Sequence, residues 1–203
     1  MLLQLLAAAG LLAVLTVVPG PDMAVVTRRA LVGGRPDALR AAAGVVAGLM
    51  VWGSLAVLGL TALLAASPTA YLVVRVLGVA YLAFLGVQAL RSTGRHPSAA
   101  PSTPAQGKPF ITGLTANLVN PKIAVFYSAL LPTLAPPSLG APWGLALLAL
   151  VHAALTLGWL SGFAYLLTRA RSLFERPRVR RALDRVTGVV LIGLAVRLAT
   201  EHA

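Results

Sequence analysis

Apolar residues run along this chain in six long stretches, and charged or turn-forming residues mark the gaps between them. The first stretch runs from about Leu2 to Val26 and the second from Ala41 to Ala65; Arg28, Arg29, Arg35 and Arg40 fall between them, with Gly33, Gly34 and Pro36 as turn residues. A short gap, Ala66-Ser67-Pro68-Thr69, leads to a third stretch from Tyr71 to Leu90. Residues 92–109 are rich in Pro, Ser, Thr, Ala and Gly, a composition that reads as a linker rather than a packed element. The fourth stretch covers Phe110 to Leu131, the fifth Trp143 to Leu167, and the sixth Val186 to Thr200 after a strongly basic segment from Arg169 to Arg185. A membrane-crossing helix needs about 20 mostly apolar residues. The pattern therefore predicts an all-α membrane protein of six transmembrane helices, with residues 1–91 and 110–203 as two three-helix units joined by a cytoplasmic linker.

Two of the predicted spans are interrupted. Pro19-Gly20-Pro21-Asp22 breaks the first, and Asn120-Pro121-Lys122 breaks the fourth. Proline removes a backbone donor and blocks the carbonyl one turn back. Backbone groups freed in this way are tolerable in a membrane only where they line a cavity or meet a neighbour. Gly44 and Gly48 in the second span lie four residues apart, and so share a helix face on which another backbone can approach closely.

Composition agrees with the pattern: of 203 residues, 58% are hydrophobic and 11% charged, and the mean hydropathy is +0.86. The net charge of +12 would suggest a polyanionic partner in a soluble protein. Here all Lys and Arg residues except Arg75, Lys122 and Arg197 fall in three gaps, which alternate with two gaps, Ala66 to Ala70 and Pro132 to Pro142, that hold none. That alternation is the positive-inside pattern. It predicts cytoplasmic basic loops facing anionic membrane lipid, with both termini outside. Nucleic acid is excluded as a partner because no aromatic residues interleave the basic clusters. The chain has no cysteine, so disulfides and thiolate metal sites are excluded. The first stretch lacks a basic leader and ends in Pro-Gly-Pro-Asp, which reads as a retained span rather than a signal peptide.

The two halves also resemble one another. Gly20-Pro21-Asp22-Met23-Ala24-Val25 aligns with Asn120-Pro121-Lys122-Ile123-Ala124-Val125, matching Pro, Ala and Val, and Arg75-Val76-Leu77-Gly78-Val79 aligns with Arg185-Val186-Thr187-Gly188-Val189. Because each half has an odd number of spans, the second must enter the membrane from the opposite side. The expected architecture is two inverted three-helix repeats with broken first and fourth helices. In transporters of that kind the site lies where discontinuous helices meet. Arg75 and Arg197 are near span ends and can snorkel to the interface. Lys122 lies about halfway through its span, and Asp22 is the only carboxylate placed inside an apolar stretch. A charge at such depth is unfavourable by several kcal/mol unless paired or hydrated. Asp22 and Lys122 are thus expected either to neutralise one another across the repeat or to share a wet cavity.

Pro-Gly-Pro-Asp-Met at 19–23, the Gly-rich second span, Leu77 to Leu82 with Gly86, Phe110 to Gly113 and Asn117 to Lys122 together resemble the LysE/RhtB superfamily of amino-acid exporters. The resemblance covers nearly the whole chain. It implies a six-span inner-membrane exporter of amino acids or similar small metabolites, driven by the proton gradient, with signature residues Pro19, Gly20, Pro21, Asn120 and Pro121.

On this reading Asp22, Lys122, Asn117 and Asn120 bind or gate the substrate, and Asp22 and His152 are candidates for a proton relay. The plainer alternatives are a structural ion pair for Asp22 and Lys122, helix capping for the asparagines and a hydrogen-bonding role for His152. Gln88, Tyr81, Tyr127 and Trp159 are weaker candidates for a cavity wall. No metalloprotease, nucleophile-elbow or phosphate-loop motif is present in the sequence, and no cofactor is implied, so enzymatic function is not expected. Two other functions fit less well: a metal-cation efflux protein, which would need more oxygen ligands, and a non-transporting scaffold, which has no use for paired broken helices. Gly- and Ala-rich faces also suit a homodimer, although the same faces serve packing within one bundle.

Overall fold

The computed structural model describes residues 2–60, 67–91, 107–169 and 177–200, and every regular element among them is helical. Residues 92–106 of the expected linker, 170–176 of the third basic gap and the side chain of Arg75 lie outside the described residues.

Helix α1 (Leu2–Val17) is stopped by its own sequence. The residue before a proline is disfavoured in helical conformation, and Val18 closes the last turn with a bond to the Val14 carbonyl at 3.2 Å. Gly20 is extended, at φ −159° and ψ −170°, and Pro21 opens α2 (Pro21–Leu55) in the first-turn position where a missing N–H matters least. The chain turns inside α2 at Gly34, whose φ of 70° and ψ of −166° suit glycine alone. The Arg28–Arg40 loop expected between spans one and two is therefore much shorter than its charge suggests. Helix continues to the edge of Gly34 and resumes beyond it, because arginine is a good helix former and only Gly34 and Pro36 oppose helix here.

Helix α2 continues into a π-turn at Ala56–Leu60. After α3 (Pro68–Arg91) and α4 (Pro109–Leu118), Val119 and Asn120 leave the helical path, and Pro121 starts α5 (Pro121–Val125). This helix runs through a second π-turn, Phe126–Leu130, into α6 (Leu131–Leu134). The interruption of span four thus falls where the proline requires it. Helix α7 (Ala141–Arg169) follows without a break. Helix α8 (Pro177–Thr200) begins well before Val186, so the basic stretch Arg178 to Arg185 is helical rather than loop, again because its arginines are compatible with helix.

Helix α2 packs chiefly on α4 and α7, α1 packs on α7, and α3 packs on α8 and on the second π-turn. The α2–α4 crossing is a glycine contact. A methyl group at Gly44 would collide with the Phe110 carbonyl, one at Gly113 with the Ala41 carbonyl, and one at Gly48 with the Asn117 side chain. The close-packing face expected for Gly44 and Gly48 is therefore used, and its partner is the broken fourth span. One apolar cluster joins α1, residues 123–134, α7 and α8; a second joins residues 23–45 to Leu160–Leu167 of α7. Three helices are long and apolar enough to cross a membrane, Pro21–Gly59, Thr69–Gln88 and Ala141–Arg169, and Leu3–Val17 and Gly188–Thr200 are shorter apolar helices. Exposed Leu3, Leu58, Leu77, Trp143 and Val189 give the outer surface the apolar character that lipid demands.

Candidate functional site

The two helix breaks meet. Asp22 is the second residue of α2, and its Oδ2 accepts hydrogen bonds from the side-chain amides of Asn117, at 3.0 Å, and Asn120, at 3.3 Å. Asn120 serves both sides of the contact: its Oδ1 accepts from the Lys122 backbone N–H at 3.1 Å, which caps α5. Asn117, at the end of α4, directs its amide to Asp22 instead, and its own Oδ1 has no hydrogen-bond partner among the described residues. The amides thus join the second break to the first. Both asparagines are buried.

Lys122 makes the reciprocal connection. Its ammonium donates to the Val18 carbonyl at 3.2 Å, just past the C-terminal end of α1. Its side chain lies under Gly20, where a methyl group would come within 3.3 Å of Nζ. The helix dipole favours anions at N-termini and cations at C-termini. Asp22 in the first turn of α2 and Lys122 at the carbonyl end of α1 both obey that rule.

Asp22 and Lys122 do not form a direct ion pair within 4.0 Å. They line one small cavity instead, with Thr16, Leu49, His152 and Thr156 among the other residues in its wall. The cavity has room for about one water molecule. Oδ1 of Asp22 is buried and has no hydrogen-bond partner among the described residues. Of the two arrangements expected for these charges, the shared cavity is the one the fold adopts.

His152 of α7 is buried on the same cavity, and its Nδ1 lies 3.2 Å from the Tyr127 hydroxyl. The Tyr127 ring stacks on the imidazole at 5.7 Å, and Phe126 meets it edge-on at 5.6 Å. Both aromatic rings come from the second π-turn, a feature often found near functional sites. Tyr127 therefore stands behind the cavity wall as a partner of His152. Tyr81 and Gln88 are not brought to the cavity: Tyr81 packs near Phe84 within α3, and Gln88 is exposed. Trp159 stacks on Phe163, away from the cavity lining.

Two residues escaped sequence reasoning. Arg29, read as part of a basic loop, is buried and donates to Thr112 Oγ1 of α4 at 2.6 Å. Thr156 carries no charge to draw notice; its spacing of four residues from His152, which puts both on one helix face, was the available signal.

Comparison with known proteins places the chain in a family. The LysE type translocator family matches residues 13–202. The threonine efflux protein of Salmonella typhi is 30% identical over 194 residues, covering 89% of each chain. That of Escherichia coli (strain K12) is 28% identical over the same length and coverage. The homoserine/homoserine lactone efflux protein of Salmonella typhimurium is 29% identical over 174 residues, 84% of each chain. No solved structure matches the chain. With nearly its full length matched, the chain belongs to the LysE type translocator family.

Proposed function

We propose that this protein is a secondary active exporter of amino acids or related small metabolites in the inner membrane, coupled to the proton gradient. The observation that carries the reading is the convergence of both helix breaks on a cavity holding Asp22 and Lys122 without a direct ion pair between them. A zwitterion presents an ammonium and a carboxylate, and the cavity offers an unengaged carboxylate oxygen and an ammonium to receive them. Relatives named for threonine and homoserine efflux support the amino-acid class.

Six spans arranged as two inverted repeats are the architecture we assign. The pairing of helices supports it: exchanging the two halves turns the α1–α7 contact into a contact of span four with span two, which is the α2–α4 crossing, while the α2–α7 and α3–α8 contacts map onto themselves. The basic segments then face the cytoplasm and the termini the outside.

Asp22→Asn tests the mechanism. The neutral amide keeps an acceptor for Asn117 and Asn120, and the weaker hydrogen bonds are offset by relief from burying a charge. Stability in detergent should therefore change by no more than about 1 kcal/mol, whereas threonine counterflow in proteoliposomes and efflux driven by an imposed pH gradient should be lost. Wild-type transport by this variant would refute the role of Asp22.

A further inference from the structure

Two arginines from different helices converge on one exposed ring. The Cζ of Arg35, on α2 just past the Gly34 turn, lies 5.1 Å from the centre of the Tyr165 ring, and that of Arg169, the last residue of α7, lies 5.0 Å from it. The two guanidinium groups are therefore no more than about 10 Å apart, roughly one Debye length at 0.1 M salt, and they repel one another. Attraction to the ring face offsets part of that repulsion and fixes where each group sits, but it leaves their N–H donors unused. No carboxylate answers either charge among the described residues: Asp37, two positions from Arg35, is bonded to Arg40 at 2.9 Å instead. Arg35, Arg169 and Tyr165 are all exposed.

Their position decides what kind of anion fits. Ala141–Arg169 is one of the helices long and apolar enough to cross a membrane, so its last residue stands where hydrocarbon gives way to headgroups. Tyrosine favours the same depth. Leu31, Val32 and Leu166, close in sequence to the two arginines, are exposed and offer apolar surface to an acyl chain. We propose that Arg35 and Arg169, held by Tyr165, form a binding site for the phosphate of an anionic phospholipid, which ties α2 to α7 at the membrane surface. A guanidinium presents paired N–H donors that match two phosphate oxygens. Two such cations repel the choline of a zwitterionic lipid and so select a headgroup whose net charge is negative. None of the three residues lines the cavity that holds Asp22 and Lys122, so the site is independent of the export reading.

The test measures phosphatidylglycerol binding to the purified protein in neutral detergent, by native mass spectrometry and by the lipid-dependent rise in unfolding temperature. Phosphatidylcholine with the same acyl chains and inorganic phosphate are the comparison ligands. The wild type should bind phosphatidylglycerol about 10-fold more tightly than phosphatidylcholine, and inorganic phosphate should not displace it. Arg35→Gln and Arg169→Gln should each weaken that binding by about 10-fold or more, and Tyr165→Leu by about 2- to 5-fold. Arg91→Gln, which alters an exposed arginine at the end of α3, should leave it unchanged. The inference is overturned if the two lipids bind equally, or if Arg35→Gln, Arg169→Gln or Tyr165→Leu binds phosphatidylglycerol as the wild type does. An equal loss in Arg91→Gln also overturns it, because the attraction is then that of a basic protein in general. Displacement by inorganic phosphate marks a site for the free anion and overturns the lipid assignment. Should a glutamine variant fail to fold, the corresponding lysine variant decides: a loss of about 2-fold or more supports the proposal, and unchanged affinity overturns it.

Discussion

Gly48 lies on α2, outside the cavity lining, yet its substitution by alanine should reach Asp22 through one intermediate residue. A methyl group built at Gly48 would lie 2.6 Å from Oδ1 and 2.8 Å from Cβ of Asn117. Restoring ordinary contact requires Asn117 to move by roughly 0.6 to 0.8 Å. The Asn117–Asp22 hydrogen bond begins at 3.0 Å, so a shift of that size along the bond carries it past the distance at which a hydrogen bond survives. Loss of a bond to a charged acceptor is worth about 1.5 to 3 kcal/mol, and overpacking a closed contact adds about 1 to 3 kcal/mol. Gly48→Ala should therefore destabilise the protein by about 2 to 5 kcal/mol and reduce transport in the fraction that folds. Thermal unfolding in detergent and threonine counterflow per folded molecule are the measurements. Gly158 is the control: it lies in a helix where an added methyl group would meet nothing within 4 Å, so Gly158→Ala should be neutral or stabilising by up to about 1 kcal/mol. Asn117→Ala should make Gly48→Ala less damaging by removing the obstructing carboxamide. Equal stability and transport in Gly48→Ala and the wild type would refute the proposed coupling through Asn117.

Lys122→Met removes the cation from the cavity wall and leaves the Val18 carbonyl without its charged donor; we expect a loss of about 1.5 to 3 kcal/mol in detergent unfolding. Adding Asp22→Asn should restore about 0.5 to 3 kcal/mol, and strictly additive effects would show that the two charges are uncoupled. Tyr127→Phe leaves His152 Nδ1 buried without its hydroxyl partner and should lower stability by about 1 to 3 kcal/mol. The same change should have a smaller effect in a His152→Leu background, which a thermal-unfolding cycle will measure; an equal effect in both backgrounds would assign the loss to some other contact of Tyr127.

The helix breaks were legible because their cause is local. Pro19, Pro21 and Pro121 constrain the backbone wherever the chain goes, and Gly20 and Asn120 supply the extended conformations between helices. The common location of Asp22 and Lys122 was legible from energetics, since two isolated charges in apolar stretches need compensation. Loop boundaries were misleading. The arginines between positions 28 and 40 and from 178 to 185 read as loop, but helices accept arginine as readily as loops do. The pairings within the site were not legible either. That both asparagine amides reach the same oxygen of Asp22, and that Tyr127 meets His152 from behind the cavity, depend on the α2–α4 crossing and the second π-turn. Neither has a sequence signature as specific as a proline. Thr156 was invisible for a further reason: its distinction is a hydrogen bond it does not make.

The helix ends also explain why the two charges need not neutralise each other. An aspartate and a lysine facing one another across a dry gap would be expected to close into an ion pair, since attraction grows steeply as the dielectric falls. Here each charge already has a separate compensator. Asp22 has two amide donors and the N-terminal end of α2, and Lys122 has the Val18 carbonyl at the C-terminal end of α1. These fixed dipoles favour each charge at its own helix end, and Oδ1 of Asp22 has no hydrogen-bond partner among the described residues. A continuous helix through either break could not do this, because its backbone groups would be bonded internally. The prolines therefore create the partial charges that support an acid and a base on one cavity wall. On the export reading, those two charges are where the charged ends of a zwitterion bind once the cavity, which here has room for about one water molecule, widens.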